Sequence, residues 1–369
     1  MSSNPLRRLQ QLGQSVWLDH IERGLILGGG LARLIGEDGV SGLTSNPAIF
    51  QKAFAGHEVY RASIESMARA GRKAEEVHEA LVIEDIQAAA DVLAPVYRDT
   101  QGRDGFVSLE VSPHLARDTE GTCAEAKRLW ARVARENLMI KVPGTIEGIE
   151  AVRRLIADGV NVNITLLFSV ERYEAVAEAF MAGLEERLSC DLGIERIASV
   201  ASFFLSRIDT LIDQRLEALE DPEIKRLRGE CAIACAREAY RRYRAIIASD
   251  RWRALEARGA RPQRLLWAST STKNPEYSDV KYVEALIGPD TITTLPPETL
   301  QAYRDHGDPK VRLTEPGPTL ATIVESLTAA GIDWSGVAPQ LEADGIRKFI
   351  EPHEAALAAL RKRIDTLTR

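Results

Sequence analysis

The sequence has no excess of positive charge. Its 369 residues carry 47 Lys and Arg against 54 Asp and Glu, a net charge of −7. That balance argues against a nucleic-acid or anionic-membrane partner, because both need a basic face. A small anionic substrate would therefore have to meet positive charge gathered locally. No stretch approaches the roughly 20 consecutive apolar residues that span a bilayer. The opening Met1-Ser-Ser-Asn-Pro-Leu-Arg-Arg-Leu has no apolar core of the kind an export signal carries, so a cytoplasmic location is expected. Cysteine is scarce. Cys123, Cys190, Cys231 and Cys235 are scattered through helical-looking regions. Cys231 and Cys235 lie four apart, as half of a metal site would, but no matching His or Cys pair accompanies them. Buried thiols in a reducing compartment, with no metal, are expected. Gly28-Gly29-Gly30 lacks both the Lys-Ser/Thr of a P-loop and the spacing of a dinucleotide fingerprint, which leaves a turn between short helices. No repeat, low-complexity tract or linker divides the chain.

The stretch around which the rest is organised is Asn137 to Glu150. Leu138, Met139, Ile140 and Val142 read as a short buried strand that Pro143-Gly144 ends. Lys141 thus sits near the carboxyl end of an apolar strand. Loss of hydration there disfavours the ammonium and favours a free amine able to attack a carbonyl and form a Schiff base. Equally, such a lysine could extend its head to solvent or to an ion pair.

Taken in order, strands alternate with helices. An amphipathic helix over residues 3–13 precedes a strand from Ser15 to Leu18 that ends at Asp19, and a second runs from Val40 to Thr44. Helices follow from about 48 to 98, including Tyr60–Met67 and Ala74–Tyr97. Further strands are predicted at Phe106–Glu110, at Lys141, at Val160–Ile164, at Ile197–Phe204, at Arg264–Ala268 and at Thr291–Leu295. Thr145 and Ser169 read as N-caps. A long helical region, Leu205 to about Ala248, is interrupted at Asp221-Pro222. Two more helices occupy Thr319–Ala329 and Val337–Thr366. Eight strands, each followed by helix, is the count of a parallel (β/α)8 barrel, with an open doubly wound sheet as the alternative. The expectation is a single barrel domain over residues 1–369, with an N-terminal helix, extra helices after the second strand and a helical extension from about 312. Chemistry in a barrel collects where its strands end.

Asp19, Asn46, Glu110, Lys141, Asn163, Thr165, Ser202 and Arg207 come from six such ends. Singly, each has an ordinary role: Asp19 or Glu110 could cap a helix, Asn46 could turn the chain before Pro47, and Arg207 could pair with Asp209 or Glu195. Jointly they are a set that a packed core has no reason to assemble.

Gly42-Leu-Thr-Ser-Asn-Pro-Ala-Ile-Phe50 and Met139-Ile-Lys-Val-Pro-Gly-Thr-Ile-Glu-Gly-Ile149 resemble the two signatures of the transaldolase family. Asn161-Val-Asn-Ile-Thr-Leu-Leu-Phe-Ser169 and Ala201-Ser-Phe-Phe-Leu-Ser-Arg-Ile208 are similar to further segments of it. The resemblance covers roughly residues 15–210. It implies that Lys141 attacks C2 of a phosphorylated ketose and that Asp19 takes the C4 hydroxyl proton as the C3–C4 bond breaks. It also implies that Glu110 and Thr165 hold the water that shuttles protons. Thr44, Asn46 and Asn163 would bind the dihydroxyacetone fragment, Ser202 and Phe204 the sugar, and Arg207 the phosphate. The implied reaction converts sedoheptulose 7-phosphate and glyceraldehyde 3-phosphate into erythrose 4-phosphate and fructose 6-phosphate, in the pentose phosphate pathway, with no metal and no cofactor. A homodimer is the family's precedent, although no residue pattern marks an interface.

The sequence departs from better-known members in three places. Ser271-Thr272-Lys273-Asn274 stands where they carry Ser-Phe-Arg, so Lys273 is either a second phosphate contact or a solvated loop lysine. Ser-Phe-Phe-Leu-Ser-Arg replaces Ser-Pro-Phe-Val-Gly-Arg, and the tail beyond Arg312 is longer, as in a longer bacterial-type subgroup. Two other functions fit the same residues: a class I aldolase that releases the three-carbon fragment, and a non-catalytic phosphosugar-binding barrel. Relatives that act as simple aldolases tend to carry Tyr where this chain has Phe204, which favours transfer.

Overall fold

In the computed structural model, which describes residues 4–56 and 58–367, the short apolar runs pair into a closed barrel. The strands are β1 (Gln14–Asp19), β2 (Val40–Thr44), β3 (Phe106–Glu110), β4 (Leu138–Pro143), β5 (Val162–Leu167), β6 (Ser199–Phe204), β7 (Arg264–Ala268) and β8 (Thr291–Leu295). They hydrogen-bond in chain order, β8 returns to β1, and every pair is parallel. With helices outside, this is a (β/α)8 barrel. Almost every strand residue is buried, as expected where side chains face either the barrel interior or the helix layer.

The interior is filled by unequal partners. Trp17 on β1 is fully buried and lies over Gly42 on β2, where a Cβ would stand within 2.5 Å of the indole. The glycine is required by close approach, not by backbone freedom. The Trp17 indole N–H donates to Asp104 Oδ1 at 2.9 Å, and the Ser15 hydroxyl donates to Asp104 Oδ2 at 2.6 Å. Arg264 completes this cluster, 3.1 Å from the same carboxylate. A buried charge so paired and hydrogen-bonded closes the end of the barrel away from the strand carboxyl termini.

Helix ends follow their predicted caps. Thr145 accepts from the Gly148 amide and Ser169 from the Arg172 amide. The first helix is Pro5–Gln11, capped by Asn4; the predicted start at Ser3 lies outside the described residues. Extra helices Pro47–Gly56, Arg61–Arg69 and Ala74–Asp99 follow β2.

Four readings are corrected. β5 runs two residues later than predicted and extends to Leu167, because its pairing with β6 shifts between Ile164 and Leu167 and Leu166 takes a left-handed φ of 61°. β6 begins at Ser199, since the Ile197 amide is already turned back to the Ile194 carbonyl. The long helix from Leu205 is three, Ser206–Glu217, Pro222–Lys225 and Cys231–Ile247, with Asp221 capping the second. Cys190 is exposed, whereas Cys123, Cys231 and Cys235 are buried; all four are free.

The C-terminal helices Leu320–Ala329 and Val337–Leu367 are not appended to the outside. Ile323, Leu327, Phe349 and Leu360 join the main apolar cluster. Helix Val337–Leu367 crosses the barrel mouth, packing on helices Pro47–Gly56 and Ala74–Asp99 and touching β5.

Candidate active site

The register sets the site's floor. β3 and β4 align Glu110 with Lys141, β4 and β5 align Lys141 with Asn163, and β1 and β2 align Asp19 with Thr44. Lys141 is 4% exposed. Its Nζ donates to the Ser45 carbonyl at 3.1 Å and lies 3.9 Å from Glu110 Oε2. The sequence left open a solvent-reaching head or an ion pair; the amine is buried, and its carboxylate partner stands beyond hydrogen-bond distance.

The Glu110 side chain is 5% exposed, and neither of its oxygens has a hydrogen-bond partner among the described residues. Burial pushes its carboxyl up to about 7, against the pull of the Lys141 amine, and the Asp19 charge adds to the rise. A carboxyl held there exchanges a proton near neutral pH, as a general acid and base must. The Thr165 hydroxyl is likewise buried without a partner among the described residues. Orphaned buried polar atoms at one level of a barrel suit a water or substrate oxygen.

Asp19 Oδ1 accepts the Thr44 hydroxyl at 2.7 Å, and Thr44 meets the Thr294 hydroxyl at 2.8 Å. Asn163 is fixed on both sides: its amide donates to Ser108 Oγ at 2.9 Å, and its Oδ1 accepts the Ser202 hydroxyl at 2.6 Å. Asn46 Oδ1 accepts the Ile49 amide at 3.1 Å. It therefore starts the next helix, its ordinary role, while also lining the mouth.

Above this floor lies a cavity of about 440 Å3. Asp19, Thr44, Asn46, Lys141, Ser202, Phe204, Arg207 and Lys273 line it; Glu110, Asn163 and Thr165 lie behind its wall. Arg207 pairs with neither Asp209 nor Glu195. Asp209 is taken by the Ala232 amide at 2.8 Å and the Tyr282 hydroxyl at 2.8 Å. The Arg207 guanidinium instead lies 5.2 Å from the centre of the Phe204 ring, and its Nη1 is buried without a partner among the described residues. Burial lowers its pKa, opposed by the Glu110 and Asp19 charges. A guanidinium with an open N–H facing a cavity is a ready anion site. Lys273 stands at the exposed rim, its Nζ 2.7 Å from the Ser271 hydroxyl, within the same cavity as Arg207.

The sequence reading missed the roof. Phe349, from helix Val337–Leu367, covers both the amine and the guanidinium, 5.7 Å from Lys141 Nζ and 5.9 Å from Arg207 Cζ. Lys348, Lys52 and Thr294 also line the mouth. Lys52, Lys273, Lys348 and Arg207 supply the local positive charge that an anionic substrate needs in an acidic chain. The signal that could have found the roof is Gly345, a glycine inside a long helix. A Cβ there would stand 2.9 Å from the Leu166 side chain and 3.5 Å from Arg207. Among the described residues no group of His, Cys, Asp and Glu could hold a metal, and no helix is long and apolar enough to cross a membrane.

Residues 16–360 match the sequence model of the family described as Transaldolase/Fructose-6-phosphate aldolase. The chain is 48% identical to a protein named Transaldolase from Trichodesmium erythraeum, over the whole of both chains. It is 47% identical to Transaldolase 2 from Nostoc punctiforme, again over the whole of both. A protein named Transaldolase from Thiobacillus denitrificans is 46% identical over 97% of this chain and 99% of its own.

Proposed function

The chain belongs to the transaldolase/fructose-6-phosphate aldolase family and is a transaldolase, a transferase acting on phosphosugars; we propose that its chemistry runs through a Schiff base on Lys141. The observation that carries this reading is the buried amine 3.9 Å from a buried carboxyl that has no hydrogen-bond partner among the described residues. The Lys141 amine adds to C2 of a ketose phosphate such as sedoheptulose 7-phosphate or fructose 6-phosphate. Glu110, with water held against Thr165, gives the proton with which the C2 oxygen departs as water. Asp19, held by Thr44, takes the C4 hydroxyl proton; the C3–C4 bond breaks and its electrons pass into the iminium. An aldose phosphate leaves. Asn46, Asn163 and Ser202 hold the dihydroxyacetone fragment until glyceraldehyde 3-phosphate or erythrose 4-phosphate accepts it.

Arg207 binds the phosphate as a guanidinium fork, and Lys273 at the same rim adds a point charge. Phe204 offers no phenolic proton, and Phe349 roofs the amine; both support retention of the fragment over its release to water. The reading extends to a single domain, a homodimer and a cytoplasmic location, which the four free thiols support.

The test is borohydride reduction in the presence of fructose 6-phosphate. A three-carbon adduct fixed to Lys141 is expected, absent from Lys141→Ala and present in Asp19→Ala as an uncleaved sugar. Binding without an adduct sinks the mechanism and favours a non-catalytic barrel. Steady release of free dihydroxyacetone without an acceptor sinks transfer in favour of an aldolase.

A further inference from the structure

Behind Glu110 lies a second cavity, of about 320 Å3, that shares Asn46 with the mouth. Its inner wall is Glu110, Ser45 and Leu109; its outer rim includes Glu75 and Arg128, both exposed. The Glu110 carboxyl thus stands between two spaces. Lys141 belongs to the wall of the mouth and Glu110 to the wall of the second cavity, although the two groups are 3.9 Å apart. At about 30 Å3 per water, the space holds on the order of ten molecules.

We propose that this second cavity is the route by which water and protons reach and leave the Schiff base while sugar occupies the mouth. The proposal rests on the Lys141 mechanism above, whose bookkeeping creates the need. Amine, ketone and the Glu110 carboxyl give iminium, one water and the Glu110 carboxylate. The bond formed is C2=N, the bond broken is C2=O, and of the two protons that leave with the oxygen one comes from the amine nitrogen and one from Glu110. The reverse reaction, after the acceptor has joined the fragment, consumes one water. At both moments a full-length sugar phosphate spans the mouth from Lys141 to Arg207, under the roof of Phe349. Water needed at C2 then has to arrive past the sugar or from behind Glu110, and the second side has open space that the sugar does not occupy. Its lining is mixed, with apolar Phe50, Leu109 and Leu129 beside polar groups that can hold water. His78 and His353 stand in the wall with Glu75 and Glu79, and burial depresses the His78 imidazole to about 4, so it adds no charge there near neutrality.

The cavity can be closed after folding. Leu357, half-buried on helix Val337–Leu367, lines it and is not part of the mouth. In Leu357→Cys combined with Cys190→Ser, which removes the exposed native thiol, benzyl methanethiosulfonate would place an aromatic plug on the wall. The protein is assayed with fructose 6-phosphate and erythrose 4-phosphate in oxygen-18 water, and label at C2 of the new ketose is counted per turnover by mass spectrometry. Unmodified protein is expected to incorporate one atom per turnover. Plugged protein should return its own trapped water, with incorporation under about half, kcat lowered about fivefold or more and KM within about twofold, because binding in the mouth is untouched. Dithiothreitol should restore both. If plugged protein incorporates one atom per turnover at the unmodified kcat, water enters past the sugar and the proposal is wrong. Failure of the underlying mechanism would show separately, as unmodified protein that yields no borohydride-fixed adduct.

Discussion

Replacing Glu110 with Gln tests the carboxyl without altering its shape. The side chain is 5% exposed, its oxygens have no hydrogen-bond partner among the described residues, and burial holds its pKa near 7. Only the acid form can give a proton to the departing C2 oxygen. With a pKa of about 7, about nine tenths of the protein carries that proton at pH 6 and about one tenth at pH 8, so this limb of the adduct-formation rate falls roughly tenfold across the interval. Gln has no proton to transfer. Glu110→Gln is therefore expected to slow adduct formation by about 10²–10³ and to lose the descending limb between pH 6 and 8. KM should stay near wild type, since Glu110 is not part of the mouth wall. The assay mixes enzyme with fructose 6-phosphate, quenches with borohydride at intervals and weighs the Lys141 peptide. Unfolding is not a competing explanation. A carboxyl whose folded pKa exceeds its unfolded value loses stability as pH rises through it, so removing it should leave the variant no less stable above pH 7. A variant that forms the adduct within about threefold of the wild-type rate, or that keeps the descending limb, would refute the assignment of Glu110 as the acid.

Arg207→Met removes a buried guanidinium with an unpaired N–H. KM for phosphorylated sugars should rise about 10–100-fold with kcat less affected, as loss of a charge-assisted bond worth about 1.5–3 kcal/mol implies. An unchanged KM would move the phosphate to Lys273 or Lys348. Gly42→Ala drives a methyl into the Trp17 indole, which its bond to Asp104 holds in place; about 3 kcal/mol or more should be lost in urea unfolding, and a loss under about 1 kcal/mol would mean that the strands can part there. Asp209 is held by the Ala232 amide and the Tyr282 hydroxyl, and burial raises its carboxyl to about 7. Its contribution to stability is full below the ordinary value of 3.8 and is lost as pH rises through about 7. Asp209→Asn should accordingly gain on wild type with rising pH, by up to about 4 kcal/mol above pH 7; a constant difference across pH 4–8 would show that the group does not titrate there.

The strand-end residues were legible for a specific reason. In a barrel buried on both faces, an apolar run continues until its carboxyl end reaches the mouth, so the first polar residue before a Pro, Gly or Asn break marks the site. Lys141 obeys this, with Pro143-Gly144 just beyond it, and Asp19 and Glu110 close their strands; Asn163, second in β5, is brought to the site by its register with Lys141. The bulge at Leu166 was not legible, because no glycine announces its left-handed φ. Lys273 was ambiguous in sequence because a loop residue carries no periodicity, and only the shared cavity places it beside Arg207. Phe349 was invisible for another reason: on an amphipathic helix, a residue that faces a catalytic mouth and one that faces a core make the same stripe.

That stripe is what ties the two cavities together. Gly345, Phe349, His353 and Leu357 recur every four residues on helix Val337–Leu367, so they share one face. Gly345 lies against Leu166 and Arg207, Phe349 over Arg207 and Lys141, and His353 and Leu357 on the wall of the second cavity. One helix therefore covers Arg207, Lys141 and the second cavity in sequence. Pro352 lies inside it, between Phe349 and His353, and removes a backbone donor at that turn. The weakest turn of the helix thus falls between the cover of the mouth and the cover of the second cavity, so the roof at Phe349 has a place to give without shifting His353 and Leu357.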